Sequence, residues 1–239
     1  FDSEARKKSQ ISIQMIFQDP LSSLNPRMRV LDLIGEAPLK HNLIQAQQKR
    51  DYVADMLDLV GLDPAVMQRF AHEFSGGQRA RIAIARALAV RPKMLICDEA
   101  VASLDISIQA QILNLFMKLR QDLKLTYLFV SHDLSVVRHI ADRVAVMYLG
   151  RMVELAPNEA LFEQTNHPYT LGLLAEVPSL DVRHKKFGAI KGEIPSPLNP
   201  PSGCHFHTRC TKNQSICQME IPPFKQISEN HYSACHLNN

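Results

Sequence analysis

Met94-Leu95-Ile96-Cys97-Asp98-Glu99 is the stretch that decides the fold. Four apolar residues in an unbroken row describe a strand buried on both faces, the setting of a parallel sheet packed between helices. Two consecutive carboxylates at its end then fall on the carboxyl edge of that sheet, where α/β folds bind ligands. The neighbouring segments keep the same rhythm. Ile82 to Ala89 continue a helix that opens after Ser75-Gly76-Gly77, Ile108, Ile112, Leu115 and Leu119 form a helical stripe, Tyr127 to Val130 form the next buried strand, and Leu134, Val137 and Ile140 space another helix. Strand and helix in alternation predict an α/β fold with a parallel sheet. Val144 to Leu149, Gly150, then Met152 to Leu155 read as a closing hairpin.

Further out the pattern changes on both sides. Ile11, Ile13, Met15 and Phe17 alternate, predicting a half-buried strand stopped by Gln18-Asp19-Pro20. Between Val30 and Arg69 the spacing is helical: Val53, Met56, Leu57 and Val60 share one face, and Gly61 stands as a C-cap before Asp63-Pro64. Beyond Pro157 a connector stiffened by Pro195, Pro197, Pro200 and Pro201 leads to a tail holding four of the five cysteines, expected as a separate module. The boundaries expected are 1–29 for a residual core strand and its loop, 30–72 for a helical subdomain, 73–156 for the core, and 157–239 for the C-terminal region.

The 239 residues, 46% hydrophobic, suffice for a buried core, which excludes a disordered chain. A net charge of +3, without a Lys/Arg block, argues against nucleic acid as a partner. No apolar run approaches the roughly 18 to 20 residues that span a bilayer, so a cytosolic chain is expected, with any membrane contact made through another protein.

Three short segments carry chemistry. Asp98 and Glu99 suit nucleotide hydrolysis, the first holding Mg²⁺ and the second orienting and deprotonating water, although acids at a strand end also cap helices. Ser75-Gly76-Gly77-Gln78 places glycines and a hydroxyl at a helix N-terminus, an anion site or an ordinary serine-capped turn. His132, in Ser131-His132-Asp133, sits on the rim of Glu99 if its strand neighbours that one, or merely caps a helix.

Taken in order, Gln18-Asp19-Pro20, Ser75 to Gln78, Asp98-Glu99, Ser103-Leu104-Asp105 and His132 resemble the nucleotide-binding subunits of ABC transporters over nearly the whole chain. The resemblance implies a P-loop NTPase-like (ABC ATPase) core with a helical subdomain and a small cysteine-containing C-terminal module. By this likeness Gln18 is the Q-loop glutamine and a Mg²⁺ contact beside Asp98. Phe74 to Gln78 is the signature loop, so Ser75, Gly76, Gly77 and Gln78 contact nucleotide. Asp98 and Glu99 are the Walker B acids, Asp105 belongs to the D-loop, and His132 is the switch histidine, catalytic with Glu99. ATP and Mg²⁺ are the implied cofactors. A second ATPase subunit bound head to tail, transmembrane permease subunits and, indirectly, an extracytoplasmic peptide-binding protein are the implied partners, with the chain peripheral on the cytoplasmic face of the membrane. Ser23-Leu24-Asn25-Pro26, His167-Pro168-Tyr169-Thr170, Gly192 to Pro197 and Gly203-Cys204 through Arg209-Cys210 look like the dipeptide and oligopeptide importers, particularly their F-type subunit.

Two departures qualify the likeness. Ala100-Val101 replace a common Pro-Thr, and no G-x-x-x-x-G-K-[ST] occurs anywhere in the 239 residues. An N-terminal truncation is therefore expected, leaving a chain that alone binds ATP poorly and hydrolyses it negligibly. A catalytically inactive regulatory or structural subunit, and a soluble ABC ATPase working on DNA or ribosomes, are the other readings. Cys204, Cys210, Cys217 and Cys235, clustered in a cytosolic chain, suggest a metal site. The resemblance favours a [4Fe-4S] cluster, with Zn²⁺ or plain reduced thiols as alternatives. Cys97 reads as a small hydrophobe inside a strand.

Overall fold

Three strands realise the apolar runs of the first half: β1 (Ile13–Ile16), β2 (Met94–Asp98) and β3 (Thr126–Val130). They form a parallel sheet in the order β1-β2-β3, with Ile16 beside Cys97 and Cys97 beside Phe129. The computed structural model describes residues 9–19, 23–176 and 190–238. These fall into two compact units, one ending at His132 and the other beginning at Asp133.

In the first unit, parallel pairing requires long crossovers, and helices supply them. Helices α1 (Val30–Lys40) and α2 (Lys49–Leu59) occupy the expected helical stretch, α3 (Gly76–Leu88) precedes β2, and α4 (Ile106–Leu123) joins β2 to β3. Val53, Leu57 and Val60 are fully buried, and Gly61 takes the left-handed conformation (φ 73°) that ends α2. Helix α3 starts from a capping box: Ser75 N donates to Gln78 Oε1 (3.0 Å), while Gln78 N donates back to Ser75 Oγ (3.4 Å). Phe116 of α4 is buried edge-on against Tyr127 and Phe129, sealing helix to sheet.

Two expectations about the sheet are corrected. The strand predicted from Ile11 begins only at Ile13, because residues 9–12 are helical. Burial on both faces is also not found. Ile16, Leu95 and Cys97 are buried, but on the opposite face Ile13, Met15, Leu128 and Val130 are exposed among the described residues. Alternation in β1 thus marks an apolar face that the described residues leave uncovered, and Ile16 is the residue that reaches the core.

The second unit contains α5 (Leu134–Ile140), β4 (Arg143–Tyr148), β5 (Arg151–Pro157), α6 (Asn158–Glu163), α7 (Pro168–Glu176), α8 (Ile216–Met219), β6 (Lys225–Ser228) and β7 (His231–Ser233). Strands β4 and β5 form the expected hairpin, turned by Leu149 (φ 44°) and Gly150 (φ 76°), the two positive values a two-residue turn between twisted strands requires. The cysteine tail does not stand apart: β7 pairs with β5, giving an antiparallel sheet in the order β4-β5-β7-β6. Its core gathers Val144, Val146, Tyr148, Val153, Ala156, Leu161 and Phe206. Arg209 pins the incoming connector by donating to the carbonyls of Lys191 and Gly192 (3.3 and 3.1 Å).

Candidate functional site

The carboxyl ends of all three parallel strands deliver one side chain each to a common point. Glu99 follows β2 directly, Gln18 lies two residues beyond β1, and His132 lies two beyond β3. Because β2 is the central strand, Glu99 is flanked by the other two. Gln18 Nε2 donates to Glu99 Oε2 (2.5 Å), and His132 Nδ1 donates to Glu99 Oε1 (3.0 Å). An acceptor carboxylate fixes the proton on Nδ1 of His132 and leaves Nε2 for another partner.

Backbone geometry holds Glu99 there. Its N–H donates to the Val130 carbonyl (3.0 Å), extending the ladder between β2 and β3 by one residue. Its φ of 46° lies in the left-handed region, which a non-glycine residue enters at a cost of about 1–3 kcal/mol. The side chain remains accessible, 25% exposed, beside a His132 side chain 72% exposed. A carboxylate held on two sides yet open to solvent keeps lone pairs with which to orient a water.

Asp98, at the last position of β2, is half-buried. Among the described residues no three His, Cys, Asp or Glu side chains stand together as metal ligands. Mg²⁺, the expected ion, keeps most of its waters and binds through one or two protein groups plus nucleotide phosphates. Asp98 and the Gln18 carbonyl oxygen are donors of the kind it takes.

The other expected residues lie outside this hydrogen-bonded group. Ser75 and Gln78 are exposed and engaged in their own capping box. Gly77 is buried at a close approach: a Cβ there would lie 2.6 Å from Cγ2 of Ile108 on α4. Asp105 is the N-cap of α4, its Oδ1 accepting from Ile108 N (3.0 Å).

In the second unit, Cys204, Cys210, Cys217 and Cys235 line one cavity, and all are unpaired thiols. Burial pushes the thiols of Cys204, Cys210 and Cys235 up, and their mutual proximity adds to it. The described residues do not set these four, or any other three His, Cys, Asp or Glu side chains, in ligand geometry, and the space between them is about 10 Å³. Cys97 behaves as expected of a core residue, its thiol pushed up to about 12 by burial.

A carboxylate that sequence reasoning passed over is Glu154, fully buried in β5. Its Oε1 accepts from His231 Nε2 (2.8 Å) and Asn166 N (2.8 Å), and its Oε2 accepts from His167 N (3.1 Å). The signal was present: an acid interrupting the apolar run Met152 to Leu155.

The chain is similar to known proteins over nearly its whole length. Residues 1–102 match the family described as "ABC transporter", and residues 153–217 match "Oligopeptide/dipeptide transporter, C-terminal region". The oligopeptide transport ATP-binding protein AppF of Bacillus subtilis is 49% identical, the alignment covering 99% of this chain and 73% of that protein. The di/tripeptide transport ATP-binding protein DppF of Pseudomonas aeruginosa is 45% identical, with 98% and 72% covered. Among solved structures, CbiO1 of Clostridium perfringens, part of the ABC transporter complex CbiONQ, superposes with a TM-score of 0.60 at 28% identity, covering 72% of this chain and 67% of that one. The chain belongs to the family of ABC transporter ATP-binding proteins. Its core is accordingly the P-loop NTPase-like α/β fold, and no helix among the described residues is long and apolar enough to cross a membrane.

Proposed function

We propose that this protein is the nucleotide-binding subunit of an importer for dipeptides or oligopeptides, coupling ATP binding and hydrolysis to uptake. The observation that carries the reading is the convergence of Gln18 and His132 on Glu99 at the carboxyl edge of the sheet. The peptide class is supported by the relatives named for oligopeptide and di/tripeptide transport. In this reading Glu99 orients and deprotonates the attacking water. His132 presents Nε2 to the terminal phosphate, and Asp98 with Gln18 holds the nucleotide's Mg²⁺. Ser75 to Gln78 and Asp105 serve the site of a second subunit across a head-to-tail dimer. Permease subunits bind the subunit at the cytoplasmic face of the membrane, and a peptide-binding protein delivers cargo outside.

The 239 residues hold no phosphate-wrapping lysine loop, so the test uses the transporter assembled with its partner subunits. Glu99→Gln is expected to lower hydrolysis and peptide uptake by about 10²–10⁴-fold while ATP binding persists. Unchanged uptake in that variant sinks the proposal. A cluster or zinc ion at the four cysteines is the finer part of the reading, supported by their sharing one cavity and not by ligand geometry. Iron and zinc analysis of anaerobically prepared protein decides it, and protein free of both metals ends it.

A further inference from the structure

A second cavity in the same unit is larger and differently lined. It is open to solvent, offers about 240 Å³ and is walled mainly by apolar groups, among them Val153 and Phe206, which are buried, and Met152, Ile221 and Phe224, which are exposed. Such a volume has room for a branched or aromatic group with a polar end. Phe224 stacks on Tyr232 (5.7 Å between centroids, 14° between planes), which holds that wall in place.

One charged group breaks the apolar lining. Arg151, the first residue of β5, lines the cavity and is half-buried. Among the described residues its guanidinium has no hydrogen-bond or ion-pair partner, and none of the described residues lining the cavity is a carboxylate. A guanidinium without a protein anion is free to take one, and its planar fork matches a carboxylate in bidentate fashion. His205, also on the wall, donates from Nδ1 to the Leu149 carbonyl (3.2 Å).

We infer that this cavity binds a small carboxylate with an apolar body, its chain against Met152, Ile221 and Phe224 and its carboxylate on Arg151. Such chemistry comes from a free aliphatic acid or from the C-terminal residue of a short peptide. The site is independent of the nucleotide reading, since every residue in it belongs to the second unit.

Methionine methyl resonances supply the readout. In the chain labelled at its methionine methyls, 4-methylpentanoate is expected to shift the Met152 signal saturably, at least about tenfold more tightly than the neutral isostere 4-methylpentanamide. Arg151→Gln is expected to abolish that preference and leave amide binding unchanged, whereas Arg151→Lys keeps part of it. N-acetyl-glycyl-leucine, tested alongside, assigns the source: tighter binding than the free acid names a peptide terminus, weaker binding a small acid. Equal binding of acid and amide to the unsubstituted chain overturns the inference, as does a Met152 signal that neither compound shifts. That comparison needs no variant, so it decides even if Arg151→Gln fails to fold.

Discussion

Glu99 and Glu154 are the same chemical group in the same local company, a carboxylate between a histidine and a second donor, and they do opposite work. Glu99 accepts from Gln18 and His132, both exposed, and sits on a left-handed backbone. Glu154 accepts from His231 and from two backbone N–H groups, with the carboxylate and His231 both sealed from solvent. The first arrangement spends backbone energy to present a carboxylate to solvent. The second consumes the acceptor capacity of its carboxylate to tie β5 to β7 and to the segment entering α7. Company alone therefore does not separate the carboxylate proposed to react from the structural one; exposure and backbone strain do.

Alanine at each position tests that contrast most strongly. Glu154→Ala leaves the buried His167 N–H, the part-buried Asn166 N–H and the His231 ring without an acceptor, and a destabilisation of about 3–5 kcal/mol is expected. Amide hydrogen exchange reads it unit by unit: protection in β5 and β7 falls, while β2 and β3 keep theirs. Glu99→Ala is expected to stay within about 0.5 kcal/mol, because it removes only exposed hydrogen bonds. Similar losses in the two variants erase the distinction.

Acid sharpens it next. Burial lowers the His167 pKa from 6.5 to about 4, against a smaller raising effect of Glu154. The neutral ring accepts from Tyr169 N through Nδ1 (3.1 Å), a bond that protonation destroys. With the folded pKa below the unfolded one, the unfolded state binds the proton first. Stability supplied by neutral His167 is thus complete above about pH 6.5 and is lost as pH falls towards about 4, by up to roughly 3 kcal/mol. Urea unfolding of the second unit should show this slope, and His167→Gln should flatten it. A slope that survives the substitution assigns it to another group.

How much of this was legible beforehand follows from where each signal resides. The parallel sheet was readable because Leu95 to Cys97 and Tyr127 to Val130 are local patterns; Gln18, Glu99 and His132 were grouped through their order in a family resemblance, and the structure joins them by hydrogen bonds. The uncovered face of β1 was not, since Ile13 and Met15 look the same in sequence whether or not another element covers them. Glu154 and Arg151 were missed for a related reason: their meaning comes from β7 and from residues 221–224, some seventy positions away, and no spacing rule reaches that far. The cysteine tail was misread as separate because β7 is three residues long, too short for periodicity to reveal its pairing with β5.

The smallest expected effect concerns the strain at Glu99. Asparagine tolerates the left-handed region better than glutamate, so Glu99→Asn should recover part of the backbone cost, a gain of about 0.5–1 kcal/mol. Set against it are the hydrogen bonds to Gln18 and His132, which are exposed and of little net worth. A variant that is slightly more stable yet inactive in the assembled transporter is the expected outcome, because the shorter side chain no longer reaches where Glu99 Oε1 and Oε2 stand. Stability measured by urea unfolding of the first unit reads the sign directly. A loss greater than about 1 kcal/mol would show that Gln18 and His132 hold the three strand ends together through Glu99, making it a structural tie of the same kind as Glu154.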